Sequence, residues 1–315
     1  MTSEMLINVE GMIVKYGKRY AVRNINLSVN AGEVVGLIGP DGAGKTSALR
    51  VIAGLFPATK GNVTVLGRDA WHHRRDLHLH LGYLAQRFAL YGDLTVDENM
   101  QFFALLLGVR EWRGRRDRLL EQVGLAPFRE RQADRLSGGM RQKLALAVSL
   151  MHAPRILLLD ESTTGVDPVT RREFWNLLAD LVAEGLTLVL ATPYLDEAER
   201  CSRIILMHHG EILAEGEPQS LTSLVPGVVF EVAATPRTKA EDAMEHARGV
   251  TDVQAFGARF HVRMDAREDG DHAIREALER AGCSIEELRP TLPRLEDTFL
   301  HLTRAADDRH TGVVS

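Results

Sequence analysis

The stretch Glu33-Val34-Val35-Gly36-Leu37-Ile38-Gly39-Pro40-Asp41-Gly42-Ala43-Gly44-Lys45-Thr46-Ser47-Ala48-Leu49-Arg50-Val51-Ile52-Ala53 decides the fold. It opens with an apolar run of strand length and closes with helix formers. The eight residues Gly39 to Thr46 match G-x-x-x-x-G-K-[ST], the pattern of a loop that cradles phosphates. Gly39, Gly42 and Gly44 let the backbone curl until its N–H groups converge, with Pro40, Asp41 and Ala43 filling the loop between them. Lys45 reaches the outer phosphates of a nucleotide, and Thr46, followed by Ser47 at the helix start, offers a hydroxyl to magnesium. Strand, glycine loop and helix in this order predict an α/β nucleotide-binding core.

A second apolar strand, Ile156-Leu157-Leu158-Leu159-Asp160-Glu161, ends in two carboxylates. Adjacent acids repel unless a cation or water separates them, so a pair at a strand end is a functional signal. Asp160 is placed to hold Mg2+, and Glu161 to orient and polarise an attacking water. Gln86, after Leu81-Gly82-Tyr83-Leu84-Ala85, adds an uncharged oxygen for the metal and the terminal phosphate. Tyr16 offers a stacking face for a base. Asp167 follows Glu161 closely enough to lie at the mouth of the site. Leu136-Ser137-Gly138-Gly139-Met140 opens another apolar helix, and its bare N–H groups, helix dipole and Ser137 hydroxyl are again directed at an anion. Two phosphate-directed devices on one chain suggest a nucleotide shared with a second copy.

In this order the motifs resemble the ATP-binding subunits of ABC transporters, over roughly residues 5–220. The resemblance implies ATP and Mg2+ as ligands, with Thr46, Gln86 and Asp160 at the metal, and a head-to-tail dimer with a second ATP-binding subunit, either another copy or a different chain. In that dimer Ser137, Gly138 and Gly139 close on the partner's ATP and Asp167 belongs to the interface loop. Residues 86–99 look like the segment that receives a helix of a separate membrane permease. The tail Leu295-Glu296-Asp297-Thr298-Phe299-Leu300-His301-Leu302 is similar to the ending of drug- and polyketide-resistance exporter ATPases. Three positions depart from the family pattern. Asp41 stands where many relatives carry asparagine, and Met140 where glutamine is common. Pro193 stands where a histidine bonds the terminal phosphate, and proline has neither a side-chain donor nor an N–H.

Composition excludes other classes. The 315 residues, 45% of them hydrophobic and 26% charged, are ordinary for a soluble protein. No run approaches the roughly 18–20 apolar residues that span a bilayer, and Met1-Thr2-Ser3-Glu4 lacks the pattern of a secretory leader. A net charge of −5 argues against nucleic acid as a partner. Arg113-Gly114-Arg115-Arg116 and Arg171-Arg172 read as solvated faces. His72, His73, His78 and His80 read as surface histidines without zinc spacing. Cys201 and Cys283, the only cysteines, fit a reducing compartment.

The organisation expected is an ATP-binding domain over 5–222, containing an inserted helical subdomain at about 90–151. Pro226-Gly227 then leads into a small α+β, ferredoxin-like βαββαβ domain over 227–303, and 304–315 form a flexible tail. In the first domain Gly11 and Gly17 are read as turns between strands. Two functions stay open. One is the ATP-hydrolysing motor of an exporter, cytoplasmic and held at the membrane by its permease. The other is a regulatory or assembly clamp that binds ATP but hydrolyses little, as Pro193 suggests. ATPases of DNA repair share the motifs but interpose long coiled coils, and no sustained heptads lie between Lys45 and Ser137.

Overall fold

The run before the phosphate loop and the run before the paired acids fold into one sheet, separated by a single strand. The computed structural model describes residues 4–86, 90–265 and 269–311, and the chain divides into two units, residues 1–217 and 218–315.

The first unit begins with the long strands β1 (Met5–Tyr16) and β2 (Arg19–Asn30), then β3 (Val34–Ile38) and helix α1 (Lys45–Ile52). Strands β4 (Lys60–Val65) and β5 (Arg68–Asp69), the one-turn helix α2 (Arg74–Leu77) and strand β6 (Leu81–Leu84) follow. Three helices come next: α3 (Val96–Leu106), α4 (Trp112–Gln122) and α5 (Gly138–Ser149). The unit closes with β7 (Ile156–Asp160), α6 (Pro168–Ala183), β8 (Thr187–Thr192), α7 (Leu195–Ala198), β9 (Arg203–His208) and β10 (Glu211–Gly216).

Two sheets result, β2-β1-β4-β5, and β10-β9-β3-β8-β7-β6 with only β10 antiparallel. Every residue of β7 and β8 is buried, which explains their unbroken apolar runs: a parallel strand covered on both faces has no polar side to alternate with. The register levels the strand ends. Ile38 lies opposite Thr192, Asp160 opposite Ala191 and Leu84 opposite Leu159. The chain therefore leaves β3, β6, β7 and β8 at one edge, where open α/β sheets bind ligands. Gly17 turns the chain between β1 and β2, but Gly11 does not. Its φ is 60° inside β1, where the pairing with β2 shifts register between Val9 and Met12, so Gly11 makes a bulge and the strand continues.

Helix α3 starts at Val96 because Thr95 and Glu98 form a capping box. Cys201 and Cys283 are buried and unpaired. Burial pushes the Cys201 thiol up to about 12. Among the described residues no helix is long and apolar enough to cross a membrane.

The second unit contains α8 (Pro218–Leu221), β11 (Val228–Thr235), α9 (Arg237–Glu245), β12 (Val250–Phe256), β13 (Arg259–Met264), α10 (Gly270–Arg280), β14 (Ser284–Thr291) and α11 (Leu295–Thr311). Its antiparallel order β12-β13-β11-β14 is the ferredoxin-like arrangement of βαββαβ. Phe230, Val232, Phe260 and Val262 pack with Met244 of α9 and Ile274 and Leu278 of α10. The tail signature acts locally. Asp297 accepts the Arg294 N–H at 2.7 Å and lies 3.0 Å from Nδ1 of buried His261, fixing α11 to β13.

Two boundaries differ from the sequence reading. The division falls between Glu217 and Pro218, because α8 opens the second unit. The flexible tail expected from 304 is helical through Thr311. Thr303 and Ala306 are buried and Arg304 bonds Asp252, which carries the buried stripe of α11 past a charged sequence that reads as solvent-facing.

Candidate functional site

The phosphate loop is pinned where glycine is required. A Cβ on Gly39 would lie 2.2 Å from the Met207 carbonyl of β9, and one on Gly44, whose φ is 104°, 2.4 Å from the Ala21 carbonyl of β2. No side chain fits either place, so the backbone of Gly39, Pro40, Asp41, Gly42, Ala43 and Gly44 is held against two strands. Asp41 is exposed. Lys45, only 3% exposed, turns its ammonium back over the loop. It donates to Gly39 O at 2.7 Å and Pro40 O at 3.0 Å, and pairs with Glu161 Oε1 at 3.4 Å.

The metal-directed residues meet one strand further on. Thr46, next to half-buried Ser47, donates to Asp160 Oδ1 at 2.6 Å. Tyr83 donates to Asp160 Oδ2 at 2.8 Å. Burial and the Asp160 carboxylate push the Tyr83 phenol well above its ordinary value, so it remains a donor. Glu161 has φ 49°, a left-handed turn uncommon for a side-chain-bearing residue, and Gln86 Nε2 donates to its Oε2 at 3.1 Å. Lys45, Thr46, Gln86, Asp160 and Glu161, chosen from sequence, thus form one connected set. A hydroxyl, a carboxylate and an amide oxygen are hard donors of the kind Mg2+ takes, and the Asp160 carboxylate is buried against the hydroxyl it would share a metal with. The residues present fit that ion.

Other expected residues stand elsewhere. Tyr16 is exposed and packs on Phe56 at 5.3 Å between ring centres. Ser137 caps α5, accepting the Met140 N–H at 3.3 Å. Its glycines differ: a Cβ on Gly139 would strike Thr170 at 2.2 Å, whereas Gly138 faces open space. Asp167 is the N-cap of α6, accepting Val169 N at 3.1 Å and Thr170 N at 3.0 Å. The Thr170 side chain first, then the Thr170 and Val169 N–H groups, hold its carboxyl below the usual range. The Asp-Pro pair is a cap signal that the sequence reading passed over. At Pro193, the neighbouring Tyr194 lies under the Arg171 guanidinium at 5.1 Å, and Arg171 pairs with Asp196 at 3.0 Å.

Within the 86–99 segment, residues 87–89 lie outside the described residues. The rest is held by Asn99, fully buried, which bonds Tyr91 N and O. Beside it opens an apolar cleft of about 340 Å³ lined by Leu55, Tyr83, Leu84, Leu90, Phe103 and Val148, with Leu105 and Leu106 exposed nearby at 62% and 67%. Two site residues escaped the sequence reading. Gln142, fully buried, donates from α5 to Ser162 O at 2.8 Å. Tyr83, a phenol inside an apolar run, must find a partner, and that signal was available.

Comparison with known proteins agrees with this geometry. The family model described as ABC transporter matches residues 22–164. The chain is 41% identical over 293 residues to the "Probable multidrug ABC transporter ATP-binding protein YbhF" of Escherichia coli (strain K12), covering 91% of this chain but spanning only 50% of YbhF. It is 36% identical to the daunorubicin resistance ATP-binding protein DrrA2 of Streptomyces coeruleorubidus over 94% of both chains. Among solved structures, the dimeric post-hydrolysis state of the ATP-binding cassette MJ0796, bound to ADP and Pi, is 28% identical. It superposes at TM-score 0.62 over 67% of this chain and 98% of that one. Fold, site and relatives agree: the chain belongs to the family of ABC transporter ATP-binding proteins.

Proposed function

We propose that the chain is the ATP-binding, ATP-hydrolysing motor subunit of an export system, working with a second copy of itself and a separate membrane permease. The observation that carries the reading is the bonded set at the common strand edge, in which Lys45 and Gln86 hold Glu161 while Thr46 holds Asp160. ATP phosphates take the place of Glu161 on Lys45 and lie in the N–H cradle of residues 39–46. Released from the lysine, Glu161 stays within reach of Gln86 and accepts a proton from the attacking water. Thr46, Gln86 and Asp160 would hold Mg2+, which would supply positive charge to offset that of the phosphates. Tyr16 stacks on adenine.

Ser137, Gly138 and Gly139 bind the partner copy's ATP, a role supported by the open space at Gly138, and Asp167 orders the neighbouring loop by capping α6. The apolar cleft beside residues 86–99 receives a helix of the permease, and the subunit works at the cytoplasmic face of the membrane. Export is supported by the multidrug and daunorubicin-resistance names of YbhF and DrrA2. Glu161 bonded to Gln86 favours turnover over passive clamping despite Pro193.

Steady-state ATPase activity of the purified chain tests the reading. Turnover that falls by about 10²–10⁴ in Glu161→Gln, with ATP binding kept, is the expected result. ATP binding without turnover above that control would overturn the motor reading and leave the clamp.

A further inference from the structure

We propose that Tyr83 is a positioning residue for the metal-site carboxylate, its phenol holding Asp160 Oδ2 so that Oδ1 stays aligned on Thr46. This rests on the reading of Asp160 as a magnesium residue. Two elements, α1 and β6, converge on that carboxylate. Thr46 comes from the first turn of α1 and bonds Oδ1 at 2.6 Å. Tyr83 comes from β6 and bonds Oδ2 at 2.8 Å. Arg50, one turn beyond Thr46 on the same face of α1, adds a positive charge near the phenol and Asp160.

The register explains the reach. Tyr83 lies opposite Leu158 on β7, and Leu158 and Asp160 share a face because strand side chains alternate. The tyrosine therefore leans along the face that carries the acid. With both oxygens held, the carboxylate cannot rotate away from the hydroxyl that shares the ion. A hydrogen bond to a charged acceptor is among the stronger ones, so this contact orients the acid as well as satisfying a buried phenol. The same ring lines the apolar cleft. Whatever fills that cleft touches the side chain that holds Asp160.

The bland alternative is a tyrosine that merely packs. A fluorescent ATP analogue titrated into the full chain, with magnesium and in excess chelator, separates the two. Tyr83→Phe is expected to bind the metal-free analogue as the parent does, to melt no more than about 5 °C lower, and to lose about tenfold of the tightening that magnesium gives. An unchanged magnesium effect overturns the proposal, and so does an equal loss with and without the metal. Asp160→Asn is the reference. If it loses the magnesium effect while Tyr83→Phe retains it, the positioning role alone fails. If both retain it, the reading of Asp160 fails and takes this proposal with it.

Discussion

The phosphate loop and the Ser137-Gly138-Gly139 signature turn are both glycine turns that open a helix, yet they are finished differently. In the first, carbonyls of other strands press where Cβ atoms would be, and Lys45 already has three partners within the chain. In the second, Ser137 caps α5, Gly139 is pressed against Thr170, and Gly138 borders open space. The first device is complete inside one subunit. The second is braced from behind and presented outward. The contrast supports the proposal that one chain holds a nucleotide and also serves another copy's.

Five substitutions test that contrast. The largest effect belongs to the inward device. Lys45→Ala removes the charge that must accept phosphate, and ATP affinity measured by fluorescence titration is expected to fall about a hundredfold. Undiminished affinity would break the assignment. Next comes the outward device: Ser137→Ala is expected to leave ATP affinity of the single chain intact while lowering turnover about tenfold. Equal loss of both would place Ser137 in its own subunit's site. Third, the two signature glycines should separate. Gly139→Ala forces a methyl into Thr170 and is expected to lower the melting temperature by about 5 °C, against about 1 °C or less for Gly138→Ala. Equal shifts would erase the distinction between braced and presented glycines.

The smallest effect concerns the cap behind the signature. Asp167 titrates below its ordinary 3.8 because the Thr170 side chain, and then the Thr170 and Val169 N–H groups, favour the carboxylate. A depressed folded-state value contributes stability above 3.8 that is lost as pH falls through the lowered one. The melting gap between the parent and Asp167→Ala should therefore narrow from about pH 6 to about pH 2.5. A gap independent of pH would show that the carboxylate charge does not matter to the cap.

The parts legible in sequence were those whose logic is local. Gly39 to Thr46 carries loop chemistry in consecutive residues, and Asp160-Glu161 announces itself by ending an apolar strand in charge. What stayed hidden depends on distant neighbours. Gly139 is explained by Thr170, a residue of the next helix. Tyr83 reads as core until the register of β6 on β7 brings Asp160 beside it. The end of α11 was misread because Arg304, Asp307, Asp308 and Arg309 suggest solvent, while the small side chain of Ala306 is buried. Gly11 was read as a turn because a bulge and a turn ask the same of glycine, a positive φ. Asp167 was read for its place near the site, and its capping role followed from a pair, Asp167-Pro168, that local rules already describe.

The central claim is that two copies share each nucleotide. The direct measurement is the solution mass of Glu161→Gln by light scattering, with and without Mg-ATP, since blocking hydrolysis traps the closed state. The account predicts a monomer without nucleotide, a dimer with it, and no dimer when Lys45→Ala is added. A chain that binds ATP and remains monomeric at every concentration tested would contradict it.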